Sequence, residues 1–520
     1  MAKFITAQEA AALIPDHATV GVGGMGLAGW PEEIACAIRD RFKETGHPCD
    51  MNLKQASAMG DWKTRGTTRL GEAGPGLVTR WSGAHVGSSF ALRDLALENK
   101  LQCHCLPQGV IVNLWREIAA GRPGLLTKVG LGTFVDPRVQ GGKMNEAATD
   151  DLVEVVNFQG EEYLFYKGFK VDVALLRGTV SDENGNITFE HEGFINEGFA
   201  IAAAAKNTGG IVIVQVEYLC KKGTIAPKDV KIPGIMVDYV VQATDKDACW
   251  QTEGLYFEPA FSGQIKKPLN AIDRLPFDER KIICRRVAME LKKGDVINLG
   301  VGIPADTAKV VNEEANIDDF VMSTESGMIG GVPAALPNFG SAYNAEACID
   351  HGYMFDLIDG GGLNMTCLGL GEVDVYGNNN VSFLGKMMTG PGGFINITQA
   401  TPKVVFCGTF MGKAKLKPGN GKLEIVEEGK IRKFVNNVKQ ITFAGQYAGD
   451  DQIVLYVTER AVFQLIDHKV TLIEIAPGID LEKDILANMD FKPEISPDLK
   501  LMDAEIFNET WGGLAKYVEK

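Results

Sequence analysis

At 520 residues the chain is longer than one hydrophobic core organises, which predicts roughly two to four domains. Apolar residues at 45% and charged residues at 23% are the proportions of a soluble globular protein and exclude extended disorder. A formal net charge of −15 with a pI near 5.1 argues against a nucleic-acid or anionic-membrane partner, and leaves room for a local basic pocket for a phosphorylated ligand.

The opening segment, MAKFITAQEAAALIPD, has no apolar stretch long enough for a signal peptide or a membrane span, and none follows, so a cytoplasmic protein is expected. An apolar run ending at Val22 leads into Gly24-Met25-Gly26-Leu27-Ala28-Gly29, the G-x-G-x-x-G spacing of a dinucleotide loop. Two features weaken that reading. Pro31 starts the next helix (31–44) beyond Gly29, and the next strand (51–59) is not closed by an acid, although Asp61 is near. The glycines are read instead as letting something bulky approach backbone N–H groups at a helix start. Further on, Cys103-His104-Cys105 is the densest spot among ten cysteines that show no paired C-x-x-C spacing. Neighbours on a strand face opposite ways, so a buried strand is expected there rather than a metal site.

Short β-branched runs at 172–178, 211–216, 295–302 and 403–410 read as buried strands of parallel sheets, and 278–293 reads as a helix. The class is α/β. The chain also repeats itself. Val20 to Gly24 followed by Pro31 corresponds to Val296 to Gly302 followed by Pro304, DENGNITF (182–189) to DVYGNNNVSF (374–383), and GGIVIVQV (209–216) to TPKVVFCGTF (401–410). The offset falls from 276 between Val20 and Val296 to 194 between Phe189 and Phe383, so the first copy carries about 82 more residues. Two related open α/β domains with largely parallel sheets are expected, at 1–250 and 278–520. They are joined by a linker at 251–277, most of it rich in Pro and Gly.

In the second copy, Ser323-Thr324-Glu325-Ser326-Gly327 follows an apolar run and precedes Gly330-Gly331. On the residues alone, Glu325 is either a carboxylate open to attack a carbonyl from a strand end, or a turn glutamate accepting backbone N–H bonds. The turn TGPGGFINITQ (389–399) either supplies oxyanion donors near Gly393 and Phe394 or is a simple loop.

Taken together, TVGVGGMGLAGWPEE, PQGVIVNLWREIAAG (107–121), GLGTFVDPRVQGGKMNE (130–146), YNAEACIDHGYMFDLIDGGGLN (343–364), GPGGFINITQATPKVVFCGTF (390–410) and LIEIAPGIDLEKDILANMDF (472–491) resemble the single-chain family I coenzyme A transferases. The nearest branch is the one acting on propionate and acetate. The resemblance runs over nearly the whole chain. It implies that Glu325 is the nucleophile, and that Gly300, Val301, Gly302, Ile303 and Pro304, with Gly393 and Phe394, bind CoA. It further implies that Gln108, Gly24, Met25 and Gly392 line the active site. The implied substrates are acyl-CoA and short-chain carboxylates (acetate, propionate, butyrate or lactate), with no metal or prosthetic group, in a homo-oligomer, dimer or tetramer. Thr-Glu-Ser-Gly at the nucleophile departs from the Ser-Glu-Asn-Gly of the ketoacid branch, which favours plain short acids over 3-oxoacids. A 3-oxoacid CoA-transferase is the alternative. A sugar-phosphate isomerase, a ligand sensor of the same fold and an NAD-linked dehydrogenase account less well for STESG and GPGGF together.

Overall fold

The computed structural model describes residues 2–518. Two large sheets organise them. In chain order the first contains β1 (Lys3–Phe4), β2 (Thr19–Val22), β3 (Met51–Gln55), β4 (Val78–Gly83), β5 (Gln102–Cys105), β6 (Val173–Asp182), β7 (Ile211–Cys220) and β8 (Tyr239–Gln242). They lie in the order β1-β8-β7-β6-β2-β3-β4-β5, with every pairing parallel. Val212 to Val216 of β7 are buried on both faces, which is why that segment reads as an unbroken apolar run.

The second sheet contains β9 (Val296–Leu299), β10 (Val321–Ser323), β11 (Met328–Ile329), β12 (Ala347–Cys348), β13 (Met365–Gly369), β14 (Lys403–Cys407), β15 (Ile453–Val457), β16 (Ala461–Ile466), β17 (Lys469–Ile475) and β18 (Glu494–Leu501). Its order is β12-β11-β10-β9-β13-β14-β15-β16-β17-β18. The run β10-β9-β13-β14-β15 is parallel and repeats β3-β2-β6-β7-β8 of the first sheet strand for strand. Antiparallel pairings appear only beyond it, at β11, β12, β16 and β17.

The repeat extends to single hydrogen bonds. Asp182 Oδ1 accepts from the amides of Asn184 and Asn186, each at 2.9 Å, while Asn186 Nδ2 donates to Asp182 Oδ2. Asp374 does the same with Tyr376, Asn378 and Asn378 Nδ2. Gly185 (φ +85°) and Gly377 (φ +74°) take the left-handed position of the turn, where a β-carbon is strained. This pairing aligns Asp182 with Asp374, an offset of 192, so the register here is two residues from the one that aligns Phe189 with Phe383. The phenylalanines lie past the turn, where the copies have diverged.

In both sheets the chain moves outward on one side and then returns to the other side of the first central strand, between β2 and β6 and again between β9 and β13. Such a switch point leaves a crevice at the carboxyl ends of the strands, and both glycine loops open there. After α1 (Glu32–Thr45) in the chain, α2 (Gln108–Ala119), α6 (His351–Asp359) and α7 (Phe394–Ala400) pack between the sheets, with α3 (Gly198–Asn207) against α2, whereas α4 (Glu279–Ala288) and α5 (Ile303–Glu314) pack on each other against the far face of the second sheet. One hydrophobic core joins residues of both copies, including Trp115, Phe355 and Phe406. A second core lies on the other face of the second sheet.

The helix α4 stops at Ala288, short of the 293 that apolar spacing predicts. Leu291, past its end, is still buried, so the periodicity outlasts the helix, and Glu290 is held by Arg286 at 2.9 Å and Lys403 at 3.2 Å. The 251–277 segment contains no strand and one short helical turn, Leu269–Ala271. Its start is not a free connector: Gln251 and Thr252 are buried, and Thr252 Oγ1 donates to Asn338 Oδ1 at 2.7 Å. Among the described residues no helix is long and apolar enough to cross a membrane.

Candidate active site

A cavity of about 230 Å³ lies at the carboxyl ends of the two sheets, walled by Met25, Trp62, His85, Gln108 and Glu253 from the first part of the chain and by Gly300, Glu325, Gly393 and Phe394 from the second. Glu325 lies two residues past the end of β10. Its turn closes with Gly327 N–H on Thr324 O (3.1 Å) and Thr324 N–H on Met328 O (2.9 Å). Gly327 sits at φ +105°, where a β-carbon would lie 2.1 Å from Ile349 O. Below the carboxylate, Thr324 Oγ1 and Ser326 Oγ meet at 2.7 Å, and Ser326 also donates to Gly340 O. A β-carbon on Gly393 would lie 2.3 Å from Glu325 Oε2, so only glycine lets the carboxylate rest against this turn. Burial pushes the Glu325 carboxyl up to about 7, against the pull of the His351 charge and a hydrogen bond from Gln108.

Gln108 begins α2 and is fixed across the junction of the two copies: its amide donates to Gly392 O at 3.0 Å, and the next amide, Gly109, donates to Asn396 Oδ1 at 3.0 Å. Gly109 is required by close packing, since a β-carbon there would lie 2.3 Å from the Phe355 ring. The Gln108 side chain meets His351 Nε2 at 3.0 Å, and His351 Nδ1 meets Glu197 Oε2 at 2.8 Å. Burial pulls the His351 imidazolium down, but Glu197 beside it outweighs this and leaves the pKa raised. Glu197 Oε1 in turn accepts from Gly24 N at 3.4 Å. A chain of polar groups therefore runs from Glu325 through Gln108, His351 and Glu197 to the first glycine loop.

That loop answers the dinucleotide question. Gly26 N donates to Ala58 O (2.7 Å), Met25 N to Ala28 O (3.1 Å), Ala28 N to Met25 O (3.0 Å) and Gly29 N to Glu192 Oε2 (3.0 Å). Arg177 holds Glu192 and the carbonyls of Leu27 and Trp30. The amides a pyrophosphate would need are engaged by protein acceptors, two of them carboxylates. Gly24 is glycine because a β-carbon would lie 2.0 Å from Ala28 O, where the loop folds back on itself.

Of the residues expected at the site, Met25, Gln108, Gly300, Val301, Glu325, Gly392, Gly393 and Phe394 line the cavity. Gly24 lies behind it. Gly302, at φ +87° with open space around its β position, starts α5 outside the cavity, followed by Ile303 and the buried Pro304. The Phe394 amide donates to Pro391 O at 3.1 Å and the Gly392 amide to Ala84 O at 2.9 Å, so Phe394 N–H is engaged within its own turn and the Gly393 amide is the donor left to consider. Asp359 is held by Asn396 Nδ2 (2.9 Å) and Glu372 by Asn380 Nδ2 (2.8 Å), both outside the cavity. Sequence reasoning missed His351, Glu197 and a second cavity carboxyl, Glu253, which burial and the Asp61 charge push up to about 8. His351 lies inside the motif IDHGYMFD, but nothing local marks it as a partner of Gln108. Cys103, His104 and Cys105 lie on the buried β5, with His104 Nε2 on Asp150 O at 2.9 Å.

A sequence model of the family described as coenzyme A transferase matches residues 4–243. The chain is 66% identical over 520 residues to a caffeate CoA-transferase of Acetobacterium woodii, covering 99% of each. It is 42% identical over 509 residues to the acetate CoA-transferase YdiF of Escherichia coli (strain K12), covering 97% of this chain and 94% of the relative. The crystal structure of the acyl-CoA transferase YdiF apoenzyme from E. coli O157:H7 superposes with a TM-score of 0.92 at 40% identity, covering 98% of this chain and 97% of that one. A second structure of YdiF, described as a thioester complex with CoA, gives 0.91.

Proposed function

The chain belongs to the coenzyme A transferase family, and on that premise we propose that it moves CoA between an acyl-CoA and a free carboxylate by a ping-pong route through a thioester on Glu325. The observation that carries this reading is the position of Glu325 at a strand end in the cavity, against a glycine that leaves its carboxylate uncovered. The carboxylate attacks the thioester carbonyl and expels CoA thiolate, giving a mixed anhydride. The thiolate then attacks the glutamyl carbonyl and releases the first acyl group as its carboxylate. The acceptor acid runs the same two steps in reverse. Each addition develops an oxyanion, and one preorganised donor is worth about 3 to 4 kcal/mol of barrier. The Gln108 side-chain amide and the Gly393 N–H are the donors within reach of Glu325. CoA runs past Gly300 and Val301 toward Gly302, where the absence of a side chain leaves a path. The low-dielectric cavity keeps water from the anhydride and thioester.

Short-chain acids such as acetate and propionate are the substrates this reading starts from, supported by the name of the E. coli relative. A second reading is an aryl acid such as caffeate, supported by the name of the A. woodii relative and by the aromatic walls Trp62, Phe339 and Phe394. The reading includes a cytoplasmic homo-oligomer built of two domains, in keeping with ten free cysteines. It is tested by incubating the protein with propionyl-CoA and no acceptor, then locating CoA by mass spectrometry. The expected position is Glu325. CoA bound elsewhere, or not retained, counts against the route.

A further inference from the structure

Three cavity side chains, Trp62, His85 and Glu253, take no part in the mechanism above. They form one cluster. The Trp62 and His85 rings meet edge to face at 5.5 Å, and the Trp62 side chain lies beside Glu253, whose carboxyl it pulls down against the effect of burial. Trp62 stands at φ +59°, a left-handed conformation that a bulky residue holds only when its surroundings fix it. Here they do. Asp61 Oδ1 accepts from the amides of Lys63 and Arg65, and the Arg65 guanidinium lies 3.7 Å over the Trp250 ring. The stem of Glu253 is seated on Gly26, where a β-carbon would come within 3.0 Å of Glu253 Cγ.

The polar capacity of this cluster is not used up by the protein. His85 Nδ1 is buried and has no hydrogen-bond partner. Burial pulls the imidazole down to about 4, so it is neutral, with one acceptor and one donor nitrogen. Glu253, pushed up to about 8, is a neutral carboxyl at pH 7 and offers a hydroxyl donor beside a carbonyl acceptor. Much of the remaining wall is apolar, including Leu336, Phe339, Leu368, Phe394 and Ile397. Polar groups kept dry and partly unpaired in an apolar cavity are unfavourable until a ligand satisfies them. An acetyl or propionyl group, with three or four heavy atoms, has no hydroxyl to do so.

We propose that Trp62, His85 and Glu253 form a specificity wall that reads a hydroxyl group on a flat, ring-bearing acyl chain whose carboxyl end lies at Glu325. Trp62 packs the ring, and His85 and Glu253 exchange hydrogen bonds with the hydroxyl. The inference rests on the Glu325 reading, because the position of the carboxyl end is taken from it.

The experiment uses propionyl-CoA as donor and compares three acceptors: propionate, cinnamate and para-coumarate. The last two differ by one ring hydroxyl. Wild-type protein is expected to favour para-coumarate over cinnamate by about 10-fold or more in kcat/KM, about tenfold for each good hydrogen bond gained. Glu253→Leu should bring that ratio near one, mainly through KM. Glu253→Gln, which keeps a donor and an acceptor, should retain part of it. Should the leucine variant fold poorly, Trp62→Phe supplies an independent check: cinnamate and para-coumarate should weaken together, because the smaller ring reduces the packing for both. A wild-type ratio near one, or a ratio that survives Glu253→Leu, overturns the proposal. If wild type forms the Glu325 adduct from propionyl-CoA and transfers to propionate but ignores the ring hydroxyl, this inference alone fails. If no acyl-CoA loads Glu325, the transferase route fails and takes this inference with it.

Discussion

Replacing Glu325 by Gln keeps the shape of the side chain and removes a charge that the fold holds at a cost. Burial moves the carboxyl from its ordinary 4.5 to about 7, so the folded protein keeps a proton on this group where the unfolded chain has lost it. The associated stability is fully present below about 4.5 and is lost as the pH rises through about 7. With about 1.4 kcal/mol for each unit of pKa, the wild type should fall behind Glu325→Gln by under about 1 kcal/mol at pH 5 and by about 3 kcal/mol at pH 8. Calorimetric melting of both proteins across this range, at constant ionic strength, reads the difference. With about 2–4 °C per kcal/mol for a domain of this size, the Tm gap should widen by several degrees toward alkaline pH. The variant should be inactive throughout. A gap that stays flat, or narrows as pH rises, would refute the argument that this carboxylate is held in a dry cavity.

Glu325→Ala should abolish both the CoA adduct and transfer, whereas Asp359→Asn, Glu372→Gln and Glu253→Gln should still form the adduct on the STESG peptide, with ping-pong kinetics in wild type. The first half-reaction should speed up as pH rises through about 7 and Glu325 ionises, and Gln108→Leu should move that midpoint upward because the side-chain amide hydrogen bond favours the carboxylate; rapid-quench measurement of the carboxylate released from the acyl-CoA reads both. Gly393→Ala keeps an ordinary backbone conformation (φ −81°) yet drives a methyl into Glu325 Oε2, so kcat should fall about 100-fold with little change in melting temperature. Gly302→Val should weaken CoA binding in calorimetry, at a separate backbone cost of about 1–2 kcal/mol because this position has φ +87°; unchanged affinity in the folded variant would move the CoA path elsewhere.

The parts legible in the sequence were those with a local signature. Parallel strands buried on both faces leave continuous β-branched runs, as in β7 and β14, and a duplicated switch point leaves two glycine loops at matching places. Glu325 was visible because STESG sits between an apolar run and a glycine pair. Gln108 followed from the resemblance, and its partners did not. His351 and Glu197 lie 154 residues apart and meet only because α6 and the turn before α3 pack together. Glu253 stands in a stretch whose Pro and Gly content reads as linker, and nothing in the letters around Trp62 says that its backbone is left-handed. The fingerprint at Gly24 misleads for a related reason: spacing records where glycines are, not where the amides between them donate.

The junction between the two copies, pinned at Gln108 N to Gly392 O and Gly109 N to Asn396 Oδ1, has a consequence for timing. A thioester waiting there for an acceptor decays only when the walls part enough for a water molecule to enter. Its half-life in the absence of acceptor is therefore a clock for how often the seam breathes. Urea well below the unfolding midpoint should shorten that half-life while the far-ultraviolet signal stays constant, and a covalent link across the seam should lengthen it. An enzyme built this way trades the fidelity of its chemistry against the stiffness of a joint between two ancestral copies, and hydrolysis is the leak through which that joint can be heard.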